Sequence, residues 1–414
     1  MLYSVPMSSV SRIAFVAALA VAAASSQAPG RKKRTVTDAE VRKVHQSAIL
    51  IDTHNDVTSA TVDGMDIGKP NTETMTDLPR MKKGGMGGQI FAVYVGANYV
   101  EGNHSANRTL QMIDTVRHDI IEKYPGDFLF ATTAADIRRA HREHKIAALL
   151  GIEGGHAIED SLRLLRRYYN EGVRYMTLTH TNSNHWADSS GDTNKPNNGL
   201  SPFGKEVVAE MNRLGMIVDI SHVADKTFWD ALEVSKAPIF ASHSSCRAIS
   251  PAPRNMTDEM IAALGKKHGV VQINFSCDFL NAEVYQAGAA NQDKMRALYE
   301  QMVKQYANDP AGMRKAMSEA RAKFFGSGKR ATLADVVKHI NHVVEIAGVD
   351  AVGLGSDFDG IGCAPEGLDS VDKWPNLTRA LLEEGYTAVE IRKIYGENTL
   401  RLMADVERVA RSSH

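Results

Sequence analysis

Ala147-Ala-Leu-Leu-Gly-Ile-Glu-Gly-Gly-His156 is a run of apolar residues that stops abruptly at a carboxylate, two glycines and an imidazole. The unbroken apolar part, Ala147–Ile152, suits a strand buried on both faces, as in a parallel sheet; a half-exposed strand would alternate. Seven other short, largely apolar runs read the same way: Ile49–Ile51, Gln89–Val95, Tyr175–Leu178, Met216–Ile220, Pro238–Ala241, Val270–Phe275 and Ala351–Gly355. Helical patterns separate them. Ser161–Tyr169 places Leu162, Leu165 and Tyr169 on one side. Thr332 reads as an N-cap with Asp335 three residues on, a stripe of Leu333, Val336, Val337, Ile340 and Val344 follows, and Gly348 ends it. Eight strands alternating with helices predict an α/β protein, either a (β/α)8 TIM barrel or a doubly wound sheet.

The polar residues decide in favour of the barrel. The first strand ends in His54-Asn55-Asp56, the third in Glu153, the fourth in His180, the fifth in His222, the sixth in His243 and the eighth in Asp357. Six of eight strands thus deliver His, Asp or Glu at the same end, and in a barrel those ends meet at one mouth. His54 and Asp56, two apart, share a face and can hold one cation. His222 and His243, on neighbouring strands, can hold a second. Glu153 lies between them in strand order, and its two oxygens can bridge ions about 3.5–4 Å apart. Imidazole with carboxylate and no thiolate suits zinc, with manganese or cobalt as substitutes. Charge agrees: Asp56, Glu153, Asp357 and one hydroxide balance two divalent ions.

Each residue has a plainer reading. A single strand-end histidine is usually a hydrogen-bonded structural residue. Asp357 and Asp359 suit turns, and Arg254 alone reads as a surface ion pair. His156, His185, His339 and His342 read as structural. Asp188 and Asp219 are acceptors behind the site or ordinary loop and strand-end residues. The metal-site reading rests on the ensemble.

Composition narrows the rest. With 43% hydrophobic and 23% charged residues, the 414-residue chain has enough apolar side chains for a large core. Lys+Arg (48) and Asp+Glu (49) nearly cancel, and no basic run with interleaved aromatics occurs, so nucleic acid is not an expected partner. Arg12, the apolar stretch Ile13–Ala24 and the small residues Ser25-Ser-Gln-Ala28 have the layout of a cleavable secretory signal. Residues 1–28 are therefore expected to be a signal peptide and the protein exported, periplasmic or secreted. The apolar stretch falls short of the about 20 residues of a spanning helix, and no spanning segment is expected in the mature chain. Residues 29–414 form one expected metallohydrolase domain. Cys246, Cys277 and Cys363 show no metal-ligand spacing and permit at most one disulfide. Residues 281–330 interrupt the strand–helix rhythm after the seventh strand. They read as a helical insertion, Gln292–Tyr306 and Gly312–Phe324, on the catalytic face.

Ten ordered blocks carry a family resemblance: Ile51-Asp-Thr-His-Asn-Asp56, Gly87-Gly-Gln89, Gly151-Ile-Glu-Gly-Gly-His156, Tyr175-Met-Thr-Leu-Thr-His180, Trp186-Ala-Asp188, Gly199-Leu-Ser-Pro-Phe-Gly204, Asp219-Ile-Ser-His222, Ser242-His-Ser-Ser245, Arg254-Asn255 and Gly355-Ser-Asp-Phe-Asp-Gly360. From about Val44 to Leu402 the chain resembles the membrane (renal) dipeptidases. The resemblance implies a (β/α)8 barrel with two Zn2+ per chain: His54 and Asp56 on one, His222 and His243 on the other, Glu153 bridging. It implies that a bridging hydroxide attacks a dipeptide. His180 would contact the substrate carbonyl and the developing oxyanion, Arg254 the substrate carboxylate, and Asp357 the attacking water and its proton. Relatives of that family suggest a homodimer. The sequence departs from the mammalian members at Ser276, where they have Tyr, in its cysteines, and in its longer insertion. A related binuclear amidohydrolase acting on a β-lactam or an N-acyl amino acid is the alternative. Glu153 where phosphotriesterases carry a modified lysine disfavours that class, and a barrel used only for binding would lack a ligand, whereas none is missing.

Overall fold

The computed structural model describes residues 31–290, 292–306, 309, 312, 313, 316, 319, 320 and 328–412. The expected signal peptide lies outside them, as does most of the second insertion helix, Gly312–Phe324.

Nine strands form the sheet: β1 (Leu50–Asn55), β2 (Met86–Tyr94), β3 (Phe128–Phe130), β4 (Ile146–Glu153), β5 (Val173–Thr177), β6 (Ile217–Asp219), β7 (Phe240–Ala241), β8 (Val270–Ile273) and β9 (Val352–Leu354). Eight of them pair in the order β1-β2-β4-β5-β6-β7-β8-β9, every pair parallel. The ends of this path meet where Asp56 N donates to Phe358 O (2.9 Å) and Asp357 N to His54 O (3.1 Å). Asp52, fully buried, adds its own clasp by accepting from Ser356 N and Oγ (2.8 and 2.6 Å). The result is the expected parallel eight-stranded barrel, nearly closed, with helices around it.

The ninth strand was not expected. Phe128-Leu-Phe130 pairs with Ile146–Ala148 along the lower part of β4, before β5 begins its own pairing at Leu150. Three residues are too short a run to stand out from a helix end by periodicity.

Inside the barrel, Ile51, Ile90, Ala147, Leu149, Tyr175, Ile217, Phe240 and Val270 fill the space between the strands. Small residues make room for large ones. A Cβ on Gly151 would fall 2.1 Å from the Tyr175 ring, so glycine there is a steric requirement of the aromatic layer.

The helices behave as their patterns predict, with shifts of one residue. Leu162–Asn170 follows Ser161, but Tyr168 rather than Tyr169 is fully buried, its hydroxyl donating to Ala157 O at 2.8 Å. Leu333–Ala347 begins in a capping box between Thr332 and Asp335 and ends at Gly348, whose φ of +84° suits glycine. Val344 packs against the core as expected, partly buried, and Val343 beside it is fully buried. A short helix, Cys277–Leu280, precedes the insertion, whose described helices begin with Ala282–Ala289 and Gln292–Gln305. A disulfide joins Cys277 to Cys363, tying the loop after β8 to the loop after β9; Cys246 is free and buried.

Candidate metal centre

Strand termini place the chemistry. His54 lies within β1 and Glu153 is the last residue of β4. His180, His222 and Asp357 lie three residues beyond β5, β6 and β9, and His243 two beyond β7. All converge on one end of the barrel, and the groups able to hold a cation are His54–Asp56–Glu153, Glu153–His180–His222 and His54–His243–Asp357.

Glu153 sits at the centre. Its Oε2 lies 3.5 Å from His54 Nε2, which in turn is 3.2 Å from Asp56 Oδ2. Its Oε1 faces the other way, 2.9 Å from His222 Nε2, 3.4 Å from His243 Nε2 and 3.7 Å from His180 Nε2. The two halves touch, since the rings of His54 and His243 stack at 3.8 Å. His222 and His243 present their Nε2 atoms to each other at 3.0 Å. All five expected ligands therefore meet, and one carboxylate divides its oxygens between two ligand sets.

The donor set fits cations. His54 Nε2 and Asp56 Oδ2 are buried and, despite their proximity, form no hydrogen bond. Buried polar atoms left without partners are costly, and here they aim at one another's lone pairs, as ligands around a cation do. The carboxylates also crowd. Burial first, then the charges of Asp56 and Glu153, push the Asp357 carboxyl well above its usual range. Burial likewise opposes Glu153, but the charges of His54 and His180 and hydrogen bonds from His222 and His243 outweigh it and hold its pKa well below normal. Burial, then the Arg254 charge, keeps His222 neutral, and burial followed by His54 does the same for His243. Neutral His222 and His243 beside an ionised Glu153 are the protonation states that metal binding requires, whereas His54, which burial opposes but Tyr175, Glu153 and Asp56 hold well above the usual imidazole range, would give up its proton to a bound ion.

Local backbone is bent to make the site. His222 and Asp357 adopt φ of +67° and +62°, a left-handed conformation costing of order 1–3 kcal/mol for residues with a side chain. Gly360 is needed beneath them: a Cβ there would fall 2.4 Å from both Asp357 Oδ1 and Asp56 Oδ2. Asp357 Oδ2 accepts from Asn274 Nδ2 at 2.8 Å.

Arg254 is no surface ion pair. It donates to Ser244 Oγ (2.9 Å) and His243 O (3.1 Å), its Nε is buried without a partner, and none of the ion pairs among the described residues includes it. Burial brings its pKa down to about 10, against the pull of Asp357 and Glu153. Its guanidinium stands against His243 O at the mouth, acted on by Asp357 and Glu153 but joined to neither in an ion pair.

The four histidines expected to be structural have protein partners outside the cluster. His156 Nε2 bonds Val95 O (2.9 Å); His185 pairs with Asp160 and His342 with Asp258 on the surface; His339 is buried between Cys246 N and Leu280 O. Asp188 accepts from Asn197 N and Gly199 N and so shapes the loop after β5. Sequence reasoning missed Tyr94, whose ring meets His180 edge-on at 4.9 Å. It also missed Asn274, Tyr175 and Ser242. Gly151 was the available signal for Tyr175, because a glycine within an apolar strand marks a close approach.

Known proteins resemble this chain in sequence and in fold. The family model for membrane dipeptidases, peptidase family M19, matches residues 38–414. A probable dipeptidase, PvdM, from Pseudomonas aeruginosa is 23% identical and shares the fold, with a TM-score of 0.77 over 90% of this chain and 98% of that one. A metallopeptidase from Rhodobacter sphaeroides, solved with a phosphinate mimic of the dipeptide L-Ala-D-Ala, is 25% identical, with a TM-score of 0.70 over 87% and 99% of the two chains. Dipeptidase AC, a metallopeptidase of family M19, is 26% identical, with a TM-score of 0.69 over 87% and 98%.

Proposed function

The chain belongs to the membrane dipeptidase family and is a metal-dependent dipeptidase; from that premise we propose that it holds two zinc ions bridged by Glu153 and cleaves dipeptides between them and Arg254. The observation that carries this reading is the division of Glu153, with Oε2 toward His54 and Oε1 toward His222 and His243. His54 and Asp56 would hold one ion, His222 and His243 the other. When bound, such a pair supplies hydroxide near neutral pH and polarises an amide carbonyl.

The protein's own groups do the rest. Arg254, held by Ser244 Oγ and His243 O, offers a planar cation to the substrate's C-terminal carboxylate. Arg254 is fastened to the backbone of the ligand His243, so a carboxylate seated on it would lie close to the metal ligands, as a substrate with its scissile amide one residue from its carboxylate needs. His180, the outermost imidazole at 3.7 Å from Glu153, faces the carbonyl oxygen and stabilises its developing charge. Asp357, steadied at Oδ2 by Asn274, uses Oδ1 to take the attacking water's proton and return it to the leaving amine.

Ser276 and Asp278, hydrogen-bonded to each other at 2.5 Å, line the loop after β8. The serine is smaller than the tyrosine that the mammalian members of the family carry at this position. Export is supported by the leader-like N-terminus and by the Cys277–Cys363 disulfide, a bond that persists in oxidising compartments. A homodimer is a further proposal on the family resemblance, and sedimentation tests it.

The function is tested on a panel of dipeptides with L- or D-residues at the C-terminal position, with and without chelator. Hydrolysis that chelator abolishes and zinc restores is expected. Full activity in metal-stripped protein would overturn the reading.

A further inference from the structure

Metal-binding imidazoles must present a lone pair, and which nitrogen does so depends on where the other nitrogen's proton goes. Two hydroxyls at this site settle that for two of the ligands. Tyr175 Oη, deep in the barrel, lies 2.7 Å from His54 Nδ1 and 3.2 Å from Thr53 O. A carbonyl only accepts, so the phenol proton goes to Thr53 O, and the phenol oxygen is left to accept Nδ1–H. In the neutral imidazole that metal binding requires, His54 Nε2 then carries its lone pair into the cluster, where it is buried without a hydrogen bond.

Ser242 repeats the arrangement across the mouth. Its Oγ lies 2.7 Å from His243 Nδ1 and 2.6 Å from Asp219 Oδ2. Asp219 is an acceptor on all sides: Oδ1 takes Ser221 N (3.0 Å) and Ser242 N (2.8 Å), and Oδ2 takes Thr177 Oγ1 (2.5 Å) as well as Ser242 Oγ. The serine proton therefore belongs to Asp219, and the oxygen accepts from His243 Nδ1. His243 Nε2 is turned toward Glu153 Oε1, 3.4 Å away.

We propose that Tyr175 and Ser242 are positioning residues that hold His54 and His243 as Nδ1–H tautomers, one for each half of the metal site. This rests on the two-metal reading above. Neither hydroxyl touches substrate or metal; each acts through the imidazole it accepts from. Tyr175 is held by a fully buried ring against Phe240 (5.3 Å between centroids) and by the space Gly151 leaves, so removing its oxygen alone preserves the packing.

The test uses the full chain, stripped of metal and titrated with zinc, comparing wild type with Tyr175→Phe, Ser242→Ala and Ser242→Thr. Loss of an outer hydrogen-bond partner of a metal-binding histidine typically costs about 10–100-fold in metal affinity. Tyr175→Phe and Ser242→Ala are each expected to weaken one of the two zinc-binding steps by that factor, and Ser242→Thr, which keeps the hydroxyl, to restore it. Spectra of 15N-histidine in the zinc-loaded wild type should show His54 and His243 protonated at Nδ1 and coordinated at Nε2. Unchanged zinc affinity in Tyr175→Phe and Ser242→Ala, or Nδ1 coordination in the wild type, overturns the proposal. Should one variant fail to fold, the other variant and the wild-type spectra still decide it. Wild-type protein that binds no zinc would instead refute the metal-site reading.

Discussion

Holding a guanidinium in a buried mouth without a direct ion pair is costly, and Arg254 is hydrogen-bonded there to one hydroxyl and one carbonyl, with Asp357 and Glu153 attracting it across the site. A carboxylate arriving with substrate supplies the missing charge. Replacing one member of a buried charge pair costs about 2–5 kcal/mol, of which a substrate lacking the carboxylate never had the benefit. Arg254→Ala should therefore lower kcat/KM on dipeptides by about a hundred-fold or more. It should leave the slow hydrolysis of the corresponding dipeptide amides little changed. Steady-state kinetics on matched acid and amide substrates check this; equal losses on both would remove the anchoring role. The sequence alone favoured an ordinary surface ion pair for this arginine, because nothing in Pro253-Arg254-Asn255 announces burial. Its proposed role was legible only through family resemblance, and its burial without an ion-pair partner only through the structure. His54, Asp56, Glu153, His222 and His243 were legible directly, because each lies at or just past the end of an apolar run and a barrel gathers such ends.

Strands carry their information in what they exclude as well as what they present. β4 offers Glu153 at its end and, two residues earlier, the hollow at Gly151 that admits the Tyr175 ring from β5. Gly151→Ala would drive a methyl into that ring at 2.1 Å, and overpacking of this kind costs about 1–3 kcal/mol. Because the displaced ring carries the hydroxyl that meets His54, the variant should lose zinc affinity together with stability. Urea denaturation and zinc titration of the same preparation measure both, and wild-type values for both would contradict the packing argument. Element boundaries were the least legible feature. β1 runs through His54 to Asn55 because the barrel closes there against Phe358, a long-range pairing that local apolarity does not reveal. β7 shrinks to Phe240–Ala241 for the converse reason: it has few partners in register.

At the scale of the whole molecule, the barrel brings residues from His54 to Asp357 to one mouth, and the Cys277–Cys363 disulfide fastens the last two strand-end loops together on that face. That pairing could not be chosen from three cysteines without knowing that β8 and β9 are neighbours. The proposed function depends on one carboxylate serving two sites: Glu153 faces His54 on one side and His222 and His243 on the other, with the rings of His54 and His243 stacked between the halves. Loading metal-free protein with manganese or cobalt, and reading stoichiometry and electron paramagnetic resonance together, tests this directly. Two ions per chain with exchange-coupled spins, as expected for centres about 3.5–4 Å apart sharing a bridge, are predicted for the wild type, and loss of the coupling for Glu153→Gln. A single ion per chain, or two ions with independent spins in the wild type, would contradict the account.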